Sequence, residues 1–132
     1  GQKQRIAIAG VVAMKPKCIV FDEPTAMLDP KGRGQVLDII RRLNREGITA
    51  ILITHFMEEA AVADRVIVMQ NGRIYSDSTP EALFTDREKI RGAGMEMPPA
   101  VDLRERIASH GYDLSSDILT EEELVDALCQ LR

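Results

Sequence analysis

Apolar positions follow two rhythms along this chain. Short, nearly continuous apolar runs occur at Cys18 to Phe21 (CIVF), Ala50 to Ile53 (AILI) and Val66 to Met69 (VIVM), with a weaker one at Arg73 to Tyr75. The first two lack any alternation, which predicts strands buried on both faces of a parallel sheet. Between them Val36, Ile39, Ile40 and Leu43 recur every three or four residues, the period of an amphipathic helix. Asp29 suits its N-cap, Pro30 its first position and Gly47 its end. The result is a strand–helix–strand unit with a right-handed crossover. Gln70-Asn71-Gly72 between the last two runs signals a hairpin, so the sheet is expected to gain an antiparallel edge. Upstream, Gln2 to Met14 is apolar nearly all round from Ile6 onward. That predicts a mostly buried helix, broken by Lys15-Pro16-Lys17.

Beyond the hairpin the pattern becomes helical. Thr79-Pro80 opens a short helix through Phe84, and Gly92, Gly94, Pro98 and Pro99 mark a loop. Leu103 and Ile107 then share one helix face. Thr120 with Glu123 makes a capping box for a last helix carrying Leu124, Val125, Leu128 and Leu131. The expected division is residues 1–86 as an α/β unit and 87–132 as a helical extension.

Composition narrows the function. A chain of 132 residues is enough for one domain or most of one. Its apolar runs fall far short of the roughly 20 residues that span a bilayer, so a membrane role would pass through a partner. The net charge is −4. The only basic cluster, Arg41, Arg42 and Arg45, reads as a solvated helix face, which argues against nucleic acid. Cys18 and Cys129 have neither metal-ligand nor disulfide spacing, and Cys18 reads as a small core residue.

Ligands of parallel α/β sheets sit beyond the carboxyl ends of the strands. There CIVF is followed by Asp22 and Glu23, and AILI by Thr54 and His55; one crossover places both on the same edge. Asp22 is suited to Mg²⁺, since hard cations select carboxylate oxygens. Glu23 can orient or deprotonate a water, and His55 can donate to a phosphoryl oxygen. Pro24 stiffens the turn between strand and helix. Taken singly, a loop carboxylate pair or one His has a bland structural explanation; the ordered string CIVFDEPTAMLDP, helix, ILITH does not.

That string resembles the Walker B motif, D-loop and switch histidine of ABC-type ATPases. The resemblance implies Asp22 as the magnesium-site aspartate, Glu23 as the catalytic glutamate, Asp29 as the D-loop aspartate and His55 as the switch histidine. Gly1-Gln2-Lys3-Gln4-Arg5 is similar to the end of the family signature, LSGGQ-x-Q-R. Gly1 and Gln2 would meet the γ-phosphate of ATP held mainly by a second subunit, where a helix N-terminus favours anions. No G-x-x-x-x-G-K-S/T occurs, so the phosphate-binding loop is expected upstream of residue 1 and this piece alone is expected to be inactive.

Residues from Thr54 to Ile74 and the tail resemble the ATPase subunits of energy-coupling-factor transporters, nearest the first of two paralogues, although Ser78 stands where Gly is expected. This implies an α/β fold, the C-terminal part of a P-loop NTPase sheet. It also implies ATP and Mg²⁺, a second ATPase subunit (identical or paralogous), a transmembrane coupling protein and a substrate-binding membrane subunit. The place implied is the cytoplasmic membrane face, and the imported cargo vitamins or metal ions. The alternatives are a soluble ABC-type ATPase acting on nucleic acid or the ribosome, and a noncatalytic dimerisation fragment.

Overall fold

The computed structural model describes residues 2–131 and divides into two compact units, the first ending at His55 and the second beginning at Phe56. In the first, helix α1 (Gln2–Ala13) leads to strand β1 (Cys18–Asp22), helix α2 (Pro30–Arg45) and strand β2 (Thr49–Ile53). The strands pair in parallel, Cys18 opposite Thr49 through Asp22 opposite Ile53. Asp29 caps α2 by accepting from Gly32 N at 3.0 Å, and Pro30 takes the first helical position. Gly47 follows at φ +90°, a conformation glycine adopts without steric cost. Val36, Ile40 and Leu43 of α2 close over Ile19 and Phe21, with Ile8 of α1 joining them. Burying each large apolar side chain contributes about 1.5–3 kcal/mol.

Three expectations for this unit are corrected. The helix expected to be mostly buried buries only Ile8 among its described side chains, and Ile6 is 71% exposed. Apolar residues all round a helix cannot all face one neighbour. The strands expected to be covered on both faces are covered on one. Ile19 and Phe21 are buried, whereas Val20, Ile51 and Ile53 lie open. Cys18, expected in the core, is exposed because strand alternation puts it on the open face with Val20.

In the second unit a one-turn helix α3 (Met57–Ala60) precedes strands β3 (Val66–Gln70) and β4 (Arg73–Ser78). These form their own two-stranded antiparallel sheet, with a register shift between Val68 and Met69. Asn71 and Gly72 turn at φ 51° and 73°, as a tight hairpin requires. Helices α4 (Pro80–Phe84), α5 (Arg87–Gly92), α6 (Pro99–Ser109) and α7 (Glu121–Gln130) follow, the first two N-capped by Thr79 and Asp86. One core joins Ala61 and Val68 to Leu83, Phe84, Ile90, Val101 and Leu119. Residues beyond 86 thus share a core with the hairpin. On α6 the buried side chains are Ala100, Val101 and Arg104; Leu103, expected on the packed face with Ile107, is exposed. No helix among the described residues is long and apolar enough to cross a membrane.

Candidate active site at the carboxyl ends of the parallel strands

The register Asp22 opposite Ile53 puts the residues after both strands side by side. Glu23 N donates to Ile53 O at 2.9 Å, extending the ladder one step past β1. His55 Nδ1 lies 3.2 Å from Glu23 Oε1, within hydrogen-bonding distance. The two side chains are 61% and 50% exposed. Thirty-two residues apart in sequence, they meet because a single crossover returns the chain to the same edge. Asp22, the last residue of β1, is exposed at that edge.

The other expected residues stand apart from this pair in different ways. Asp29 engages the first turn of α2, and a Cβ on Gly32 would come within 2.6 Å of its Oδ1, so glycine there permits the close cap. Gln2 is exposed in the first turn of α1. Gly1 lies outside the described residues. Unread from the sequence were the burial of Thr25, at 0% exposure, and the left-handed backbone of Glu23, at φ 42°. Neither had a signal in the sequence, since Pro24 pushes the residue before it toward extended conformations.

Chemically, the edge offers an acceptor for a water proton beside a donor for a developing negative charge. No cluster of three or more ligating side chains occurs among the described residues. Mg²⁺ keeps several waters and needs one or two carboxylates plus substrate phosphate oxygens; Asp22 is an exposed carboxylate at this edge. The depressions of about 490 and 380 Å³ are lined by Gln70 to Tyr75 and by Arg87 to Met97, none of them site residues. The candidate site is an open strand edge.

A parallel strand pair bearing Asp-Glu and His at its carboxyl ends, joined by a capped crossover helix, is compatible with the C-terminal part of an ABC-type ATPase sheet. Among solved structures, cbiO1 from Clostridium perfringens, described as part of the ABC transporter complex cbiONQ, matches with a TM-score of 0.62 and 38% identity. The match covers 83% of this chain and 41% of that one. The energy-coupling factor transporter ATP-binding protein EcfA1 of Symbiobacterium thermophilum is 57% identical over 132 residues, 99% of this chain and 46% of the relative. The protein of the same name from Caldanaerobacter subterraneus is 54% identical over 131 residues, 98% and 47% respectively. A family model described as the energy-coupling factor transporter EcfA1 C-terminal domain matches residues 98–132. The chain is thus similar to the C-terminal part of energy-coupling factor transporter ATP-binding proteins. It spans about half the length of the curated relatives it matches.

Proposed function

We propose that this chain supplies the water-activating half of the ATP site in an energy-coupling-factor importer of vitamins or transition-metal ions. The observation that carries this is the 3.2 Å pairing of His55 with Glu23 at the strand edge that also bears Asp22. ATP is the substrate. Glu23 orients the attacking water and takes its proton. His55 holds an N–H toward the phosphoryl oxygens, where charge grows in the transition state. Asp22 holds Mg²⁺, whose charge offsets that of the phosphates. Asp29 fixes the loop between β1 and α2. Gly1 and Gln2 face the γ-phosphate of a nucleotide held mainly by the second ATPase subunit, identical or paralogous.

Two further assignments belong to this proposal. Val125 and Leu131 of the 87–132 segment are exposed and give it an apolar surface for pairing with that second subunit. The subunit sits at the cytoplasmic membrane face against the coupling protein and the substrate-binding subunit. Nucleic acid is not a partner. Arg41 is paired with Asp38 at 3.3 Å and Arg42 with Glu46 at 3.0 Å, so much of the basic cluster is neutralised.

The test is Glu23→Gln in the complete subunit assembled with its partners. ATP binding should persist while steady-state hydrolysis falls by roughly 10²–10⁴. Hydrolysis within a factor of two of the parent would remove Glu23 from the mechanism.

A further inference from the structure

Glu23 violates two backbone preferences at once. At φ 42° it lies in the left-handed region, which disfavours any side chain with a Cβ. The residue after it is Pro24, which pushes its predecessor toward extended conformations. Such a conformation persists only where the surroundings over-determine it, and it gathers at functional sites. The surroundings here do so from both sides. On the strand side, Glu23 N donates to Ile53 O at 2.9 Å. On the loop side, Ala26 N donates to Glu23 O at 3.3 Å and Leu28 N to Thr25 O at 3.0 Å. Pro24 is buried and Thr25 is sealed from solvent completely. The other two left-handed residues with side chains have ordinary explanations: Lys15 follows the end of α1, and Asn71 forms the hairpin turn.

The side chain of Glu23, by contrast, is half exposed, so packing does little to fix its direction. Its aim must come from the backbone. We propose that the buried Pro24–Thr25 step is a positioning element that holds Glu23 in a strained left-handed kink, and that this kink keeps its carboxylate within reach of His55 and of the water to be activated. Had the chain left β1 extended, alternation would have turned residue 23 to the opposite face from Asp22. The kink instead leaves the Glu23 carboxylate 3.2 Å from His55 Nδ1. Stability is given up at this residue so that the base is aimed before substrate arrives, the preorganisation on which catalysis by positioning depends.

This rests on the role proposed for Glu23, and the two can fail separately. The strain is measured by unfolding the complete subunit carrying Glu23→Gly or Glu23→Ala. Both lack the carboxylate, but glycine alone adopts φ 42° freely. The glycine variant should be favoured in its folding equilibrium by a factor of roughly 5–30 over the alanine variant. Equal stabilities, or a less stable glycine variant, would overturn the strain. The aim is measured by Pro24→Ala, with Thr25→Ser as a second variant that keeps the hydroxyl. Pro24→Ala should lower kcat by roughly ten- to a hundredfold, the scale of a small misplacement. KM for ATP should stay within about twofold, since the proposed phosphate contacts of this chain are elsewhere. Thr25→Ser should lie between parent and Pro24→Ala. A kcat unchanged in both variants, or a KM rising in step with the loss, would overturn the positioning role. If Glu23→Gln itself keeps its turnover, the catalytic assignment fails, and the glycine–alanine comparison still decides whether the kink is strained.

Discussion

The two units use their charged residues in opposite ways. In the second, charge is locked. Arg65 meets Asp77 with two hydrogen bonds of 2.7 and 2.6 Å. Arg87 bridges from α5 to Asp102 and Glu105 on α6. Arg104, only 5% exposed, donates through Nη1 to the carbonyls of Ser116 and Ile118 and so fastens the segment before α7. In the first unit the side chains of Glu23 and His55 at the strand edge are largely open to solvent, and the backbone of Glu23 is left-handed at φ 42°. Groups committed to holding a fold have their partners already. Groups intended for a substrate must keep part of their bonding capacity for it. With the roles proposed for Asp22, Glu23 and His55, the contrast separates structural charge from chemical charge, and each side of it can be broken.

The largest expected effect is on the chemical side. His55→Ala in the complete subunit should lower turnover by roughly 10²–10³, the scale of one lost transition-state donor, while nucleotide affinity changes far less. Single-turnover hydrolysis beside equilibrium binding measures both. Equal losses in the two would make His55 a structural residue and erase the contrast from this side. From the structural side, Arg104→Ala leaves two carbonyls without their donor in a buried place. It should destabilise the fold by about 2–4 kcal/mol in urea unfolding. Arg104→Lys should recover less than half of this, because an ammonium lacks the planar fork that reaches both carbonyls. A neutral Arg104→Ala would mean that buried charge here is incidental.

The sequence showed which residues meet at the strand edge better than it showed what is buried. The placement of Asp22, Glu23 and His55 was legible because strand runs, a capped helix and chain order together determine which residues reach one edge. Asp29 and Pro30 marked the start of α2, and Thr120 with Glu123 that of α7, since capping depends on neighbours in sequence. Burial was harder to read. Val20, Ile51 and Cys18 had the composition of a doubly covered sheet, but covering is a property of what packs above a strand, which a local run does not encode. Arg104 was passed over for Leu103 because hydrophobicity picked the stripe, whereas two backbone carbonyls picked the arginine. The short helices α3 and α5 went unseen, although Asp86 marks the start of α5 by accepting from Lys89 N at 2.9 Å. The φ of Glu23 left almost no trace, because a left-handed non-glycine residue is selected by its surroundings rather than by its own type.

A smaller effect concerns the proposed pairing surface. Removing the chain beyond Met97 is a poor test, since Val101 and Leu119 belong to the core of the second unit and their loss would open it. Val125→Glu is cleaner, because Val125 is 57% exposed while its neighbour Leu124 is buried. In the complete subunit it should weaken pairing with the second ATPase subunit by roughly tenfold, as for an ordinary interface contact. The unfolding midpoint should not move. Unchanged pairing on ultracentrifugation would leave the extension with a structural role alone.

The smallest effect tests whether even exposed charges of the second unit are structural. Glu123 closes the capping box of α7: Oε2 accepts from Leu119 N at 2.9 Å and Thr120 N at 3.0 Å, while Glu123 N donates to Thr120 Oγ1 at 3.3 Å. Partial desolvation pushes the Glu123 carboxyl up, but the N–H groups of Leu119 and Thr120 outweigh it and hold the group below the usual carboxylate range. The folded state thus prefers the ionised form more than the unfolded chain does. Its contribution is fully present above the unfolded carboxylate value, near 4.3, and is lost as the pH falls through the lower folded value. Because the side chain is largely exposed, water screens the interaction, and Glu123→Gln should destabilise by only about 0.3–1 kcal/mol at pH 7. The informative quantity is the gap between parent and variant across pH. Asp77 and Asp86 are also held low by their partners, but they titrate alike in both proteins and cancel in the difference. Urea midpoints taken from pH 7 down to pH 3 should show the gap closing at the acid end. A gap that stays constant with pH would mean that the cap works through hydrogen-bond geometry alone, and that the charge on Glu123 is not among the structural charges of this unit.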